Sequence, residues 1–192
     1  MTARRLTEMP MAIRIRPGSK RDGEAPSIGG AAVAGVLATY GMDVTGRTIV
    51  APALRMMPPG NLGRWIGHMF KGRFIHEDIT KAAPIAHEAA IAVTAHYAIG
   101  LTLGAGYALL LRVPQPRRSS FTRAAAYGAA TTVFPWFWMF PARGQGVMGL
   151  RDRDLRVPAF ALCVHVAYGL GLEVAARLAD SSVAQRWRSM RA

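Results

Sequence analysis

Two histidines stand in near-identical apolar company: HYAIGLTL (residues 96–103) and HVAYGLGL (residues 165–172) both read His-x-Ala-x-Gly-Leu-x-Leu. Imidazoles titrate near neutral pH, and with a carboxylate in reach they support three chemistries. In the first, Asp43, His96 and His165, with Tyr97 and Tyr168 nearby, form a hydrogen-bonded layer that fixes helix packing and needs no cofactor. In the second, the same groups carry protons or ions across a membrane. In the third, His96 and His165 ligate a b-type haem, each followed four residues on by a glycine (Gly100, Gly169) that leaves room for a flat macrocycle.

A second polar group lies in residues 68–88: His68, His76, Glu77, Asp78 and His87, followed by Glu88. These are metal ligands by chemistry, but their spacing matches no His-x3-His pair or other zinc pattern. The reading is a polar surface around a short interfacial helix, with any metal left unassigned. Cys163 is the single cysteine, so there is no disulfide framework and no cysteine metal site. No nucleophile elbow, P-loop or dinucleotide fingerprint is present, and GLGLE (169–173) is helix-packing glycine. The expectation is a non-enzymatic protein.

The elements that position these residues are apolar runs. Of the 192 residues 51% are hydrophobic, yet the net charge is +13. A chain that basic first suggests nucleic acid. The arginines, however, fall in the gaps between apolar runs, as a bilayer imposes on cytoplasm-facing loops, and the aromatics cluster in FPWFWMF (134–140). Nucleic acid is therefore set aside as a partner. The apolar runs predict four transmembrane helices, at about 27–50, 89–111, 121–140 and 158–177. If the first continues past Asp43, Arg47 falls one turn further on and could pair with it.

The fold expected is an all-α, polytopic integral membrane protein: a four-helix bundle with an extramembrane cap, residues 51–88, between helices 1 and 2. Residues 1–26 read as a disordered basic arm and 179–192 as a basic tail. The RVPQPRR loop (112–118) and the basic termini place both termini in the cytoplasm of a bacterial inner membrane. Trp65, Met69 and Phe70 are expected to anchor the cap at the headgroup level, with Trp136 and Trp138 in the outer aromatic belt. Dense Gly and Ala predict close helix contact, and their faces could seat a membrane partner or a second copy. Glu173 and Arg177 read as a pair snorkelling to the inner interface.

With a rise of about 1.5 Å per residue, His96 and His165 each lie roughly 10 Å below the outer boundary of a core about 30 Å thick. Asp43 and Pro135 fall near the same level. Equal depth on parallel helices suggests two helix pairs in tandem, with GVLAT (35–39) matching GAATT (128–132). That register sets Asp43 against Trp136. Two short Ala/Gly/Leu-rich windows matching by chance is the other explanation.

Several segments taken together resemble a bacterial membrane-protein family known only as domain of unknown function 2938. They are Met42–Asp43, GRWIGHM (63–69), GRFIHEDI (72–79), AHYAIG (95–100), PWFWMFPARGQGVMG (135–149) and HVAYGLGL (165–172), covering most of residues 28–178. The resemblance implies a multi-span inner-membrane protein and a first helix that continues past Asp43. It implies no reaction, ligand or catalytic residue.

Overall fold

The computed structural model describes residues 27–57, 60–113 and 120–189, with side chains through Leu178. The expected basic arm lies outside the described residues, as do the side chains of the basic tail. Every regular element among the described residues is helical.

Helix α1 starts at Ile28, where the Ser27 hydroxyl accepts from the Gly30 amide at 3.1 Å and so satisfies one of the unpaired first-turn donors. It runs as regular helix over Ile28–Thr45, widens into a π turn at Gly46–Val50, and closes with Ala51–Ala53. The continuation past Asp43 is therefore real. Helix α2 is short, Leu62–Met69. Helix α3 spans Glu88–Leu110, and α5 spans Arg156–Ser189, extending as helix into the expected tail.

Helix α4 occupies the run expected at 121–140 and is interrupted near its end, where Pro135 lies. It is regular over Ser120–Thr131, breaks at Thr132, and resumes as a π turn at Pro135–Met139 followed by Phe140–Ala142. Pro135 lacks the N–H that the Thr131 carbonyl needs four residues on, so the ladder must open there. Among the described residues three helices are long and apolar enough to cross a membrane: Ile28–Ala53, Glu88–Leu110 and Arg156–Leu178. Their outer faces are as apolar as their inner ones, with Val33, Leu37, Tyr40, Val93, Leu101 and Val174 all exposed. Such all-round apolarity is what a lipid surround selects.

The packing order is α3 on α1, α1 on α5, and α5 on α4. Small residues let the backbones touch. A side chain at Gly35 would press into the Gly100 carbonyl, and one at Gly104 into the Ala31 carbonyl. In the second pair, one at Gly169 would press into the Ala124 carbonyl, and one at Gly128 into that of His165. The small-residue faces are thus used inside the chain. Around them, Ala34, Ala38, Ala124, Tyr107, Tyr168 and Leu172 form the core.

The two pairs repeat one design. In each, a first helix runs into a π turn and then a three-residue turn containing proline, Ala51–Ala53 or Phe140–Ala142. The registers match one turn away from the GVLAT–GAATT alignment. Superposing the π turns sets Asp43 against Thr132, the neighbour of Thr131, and not against Trp136. Crowding at the glycine contacts and the π turns, which short sequence windows do not encode, determines this register.

The cap is fastened to the helix ends. Gly63 on α2 abuts the Glu88 carbonyl at the start of α3, and the His76 and Ile79 amides donate to the Ala142 and Arg143 carbonyls at 2.8 and 3.1 Å. Trp65 is 3% exposed, packed with Ile79 and Ala142, and its indole N–H donates to the Phe74 carbonyl at 2.9 Å. Trp65 is therefore a core residue of the cap and not the headgroup anchor expected, whereas Phe70 is 82% exposed.

Candidate functional site

The glycine crossings set the depth at which the two histidines meet neighbouring helices. His96 Nε2 lies 3.1 Å from Asp43 Oδ1, joining α3 to α1. Asp43 is thereby taken by His96 and not by Arg47. Tyr97 stands edge-on to the His96 ring, centroids 6.2 Å apart. In the second pair His165 Nδ1 lies 2.7 Å from Thr131 Oγ1, joining α5 to α4. The Thr131 hydroxyl donates its proton to the Gly128 carbonyl at 2.7 Å, so it accepts from His165 Nδ1–H, and Nε2 is the nitrogen left basic. Tyr168 donates to the Gly100 carbonyl at 2.6 Å and is buried.

Both histidines line one cavity of about 190 Å³, together with Thr39, Tyr168 and the helix break at Pro135. Apart from Arg143, its remaining walls are apolar, with Phe134, Phe140 and Phe160 among them. A wider, open cleft borders it toward the cap and shares His96, lined also by Asp43, Arg47 and Glu88. His96, His165, Tyr168 and Pro135 thus line one cavity. Asp43 belongs to the adjoining cleft.

Arg143 was not anticipated. It follows α4, is 2% exposed, and lines the same 190 Å³ cavity. One guanidinium nitrogen donates to the Gly60 carbonyl, while Nε is buried without a partner. No carboxylate among the described residues pairs with it. Burial pushes its pKa down to about 10, which leaves it charged at neutral pH. An arginine just past a helix end reads as a loop cation in sequence. The available signal was its setting, PARGQG, where Gly144 and Gly146 adopt positive φ and turn the chain back on itself. Thr131 was missed because a threonine in a helix usually bonds within its own helix.

The outer-loop residues divide. His68 and His76 come together, with His76 Nε2 3.0 Å from His68 Nδ1 and His68 Nε2 2.9 Å from the Ala83 carbonyl. One tautomer set satisfies both contacts: each Nε2 carries a proton, His68 donating to Ala83 and His76 to His68. His76 Nδ1 is then a buried acceptor with no partner. Burial, and after it the charges of His68 and Arg73, hold the His76 pKa below its ordinary value. Asp78 instead accepts from the Thr80 hydroxyl and amide at 2.6 and 2.9 Å, which holds its carboxyl below the usual range. Glu77 is exposed, and its backbone carbonyl accepts from Arg151 at 2.7 Å. His87 adopts a left-handed conformation ahead of α3 without a capping side-chain bond. Among the described residues no three His, Cys, Asp or Glu side chains gather in a way that could hold a metal ion.

Arg64 on α2 holds the cap to α3 by a fork, Nε to Glu88 Oε1 at 2.7 Å and Nη2 to Oε2 at 3.3 Å. At the far end of the helices, Glu173 is 8% exposed and bonded to Arg177 at 2.8 Å and to the Tyr107 hydroxyl at 3.3 Å. The expected Glu173–Arg177 pair is present, with Tyr107 as a member that i,i+4 spacing could not reveal.

No curated protein and no solved structure matches the chain. A family profile does match, over residues 32–179, which takes in the helix crossings, the cap and both histidines. The chain belongs to the family described as protein of unknown function (DUF2938).

Proposed function

We propose that this is a non-enzymatic, multi-pass protein of the bacterial cytoplasmic membrane, an accessory or structural subunit whose Asp/His layer fixes helix packing. In this reading α4 is a fourth crossing despite its break, the four segments form a bundle, and both termini face the cytoplasm. The observation that carries it is that each layer histidine is bonded to the helix its own helix crosses, His96 to Asp43 and His165 to Thr131. A hydrogen bond between apolar helices fixes both rotation and depth, which packing of small residues alone leaves loose.

The alternative, a proton- or ion-conducting or haem-carrying module, draws support from the cavity both histidines share. For haem the geometry is less favourable, because His96 directs Nε2 to Asp43 while His165 directs Nδ1 to Thr131. The two rings therefore do not offer the same nitrogen.

The test is His96→Leu combined with His165→Leu, purified in detergent. A packing role gives lower thermal stability and an unchanged, featureless absorbance spectrum in oxidised and dithionite-reduced samples. A sharp reduced α-band in the parent that the double variant loses overturns the proposal in favour of a cytochrome. Topology is checked separately with Cys163→Ser as background. Lys71→Cys should react with an impermeant maleimide from outside the cell, and Ser182→Cys only from inside.

A further inference from the structure

The cavity beside Arg143 goes beyond a packing role. A guanidinium is excluded from water here, at 2% exposure, and among the described residues a single backbone carbonyl is its bonded partner and Nε has none. A carbonyl dipole does not neutralise a full charge, and a buried, uncompensated cation is destabilising by several kcal/mol. The two carboxylates of the adjoining cleft are engaged elsewhere: Asp43 with His96, and Glu88 with Arg64.

We propose that this cavity binds a monocarboxylate on an apolar body about the size of a benzene ring, with the carboxylate on Arg143. The charge count sets the valence, since Arg143 is the one full positive charge lining the cavity and both histidines are held by neighbouring helices. The flat fork of an arginine matches the two oxygens of a carboxylate. Chloride or acetate would leave the aromatic walls, Phe134, Phe140 and Phe160, without a contact. The size follows from volume. A cavity of about 150 Å³ lined by apolar side chains holds benzene, so the 190 Å³ here takes a ring plus a carboxylate. Two sources share this chemistry, a free aromatic acid and the head of a fatty acid entering from the bilayer.

The full chain in detergent is titrated with benzoate, octanoate, benzyl alcohol and acetate, reading calorimetric affinity and thermal shift. Benzoate or octanoate should bind at least tenfold more tightly than benzyl alcohol, which lacks the charge, and than acetate, which lacks the body. Tighter benzoate assigns the free acid as the source, and tighter octanoate the fatty chain. Arg143→Gln should weaken the better ligand at least tenfold, with Arg143→Lys intermediate. Ala161→Phe, which fills the cavity and keeps the charge, should remove binding. Equal affinity for benzoate and benzyl alcohol overturns the proposal, as does unchanged binding in Arg143→Gln. Should Arg143→Gln not fold, retained binding in Ala161→Phe overturns it, and lost binding there supports it.

Discussion

Asp43 Oδ1 and His96 Nε2 meet at 3.1 Å across the contact of α1 with α3, one turn beyond the Thr39–Gly100 crossing that brings the two backbones together. Polar pairs between apolar helices contribute about 0.6 kcal/mol on average and about 1.7 at most, because the unfolded chain in a membrane finds other partners. A double-mutant cycle of Asp43→Leu with His96→Leu should therefore give a coupling between those values in a reversible mixed-micelle unfolding experiment. Coupling near zero would show that the pair does not fix the α1–α3 contact.

Much of this arrangement is legible in the sequence because long apolar runs leave the backbone few alternatives to helix. Long apolar runs separated by basic loops become helices, and the matching positions of His96 and His165 within their runs agree with their lining one cavity. What stays hidden depends on backbone geometry. The break at Thr132 follows from Pro135, yet its consequence, a π turn matching that at Gly46–Val50, has no signature in hydropathy. Trp65 reads as an interfacial anchor because tryptophan is common there; only the fold of the cap shows Ile79 and Ala142 enclosing it. His68 and His76 meet through a turn that no metal-ligand spacing describes. Arg143 is disguised by its position, since arginines at helix ends are ordinarily solvated.

Gly35 and Gly29 offer a controlled comparison on one helix. A methyl at Gly35 presses into the Gly100 carbonyl, backbone against backbone, whereas a methyl at Gly29 meets nothing within 4 Å. Gly35→Ala should cost about 1–3 kcal/mol, the range for overpacked cores. Gly29→Ala should be neutral or stabilising by up to about 1 kcal/mol through helix propensity. Equal behaviour of the two variants in thermal unfolding would contradict the close α1–α3 contact.

His76 gives the cap a pH dependence. Its folded pKa lies below the ordinary histidine value of 6.5, so between the two values the unfolded chain binds more protons than the folded one. Stability from this group is complete above pH 6.5 and falls as the pH drops from there through the folded pKa. One such proton limits the slope to about 1.4 kcal/mol per pH unit. His76→Gln, whose amide can still donate to His68 Nδ1, should flatten the stability profile below neutral pH while leaving its value at pH 8 nearly unchanged. A profile of unaltered slope would remove His76 as its source.

Glu173 poses the question of which partner matters more. It is 8% exposed and has two partners, the Arg177 guanidinium at 2.8 Å and the Tyr107 hydroxyl at 3.3 Å. Removing one member of a fully buried pair costs about 3–5 kcal/mol. Arg177, however, keeps its side chain 56% exposed, with its guanidinium 4.6 Å above the Phe121 ring, so solvent screening reduces the figure. Arg177→Gln should then cost roughly 1–2 kcal/mol, and Tyr107→Phe, which loses one long neutral hydrogen bond, about 0.5–1. The decisive variant is the double substitution Arg177→Gln with Glu173→Gln. If the cost of Arg177→Gln arises from leaving a carboxylate unpaired among apolar helices, neutralising that carboxylate should recover more than half of it. If the cost instead arises from lost packing of the Arg177 stem, the double variant should be no more stable than Arg177→Gln alone. Urea-independent thermal scans in one detergent suffice to separate the two, since all four proteins are compared under the same conditions.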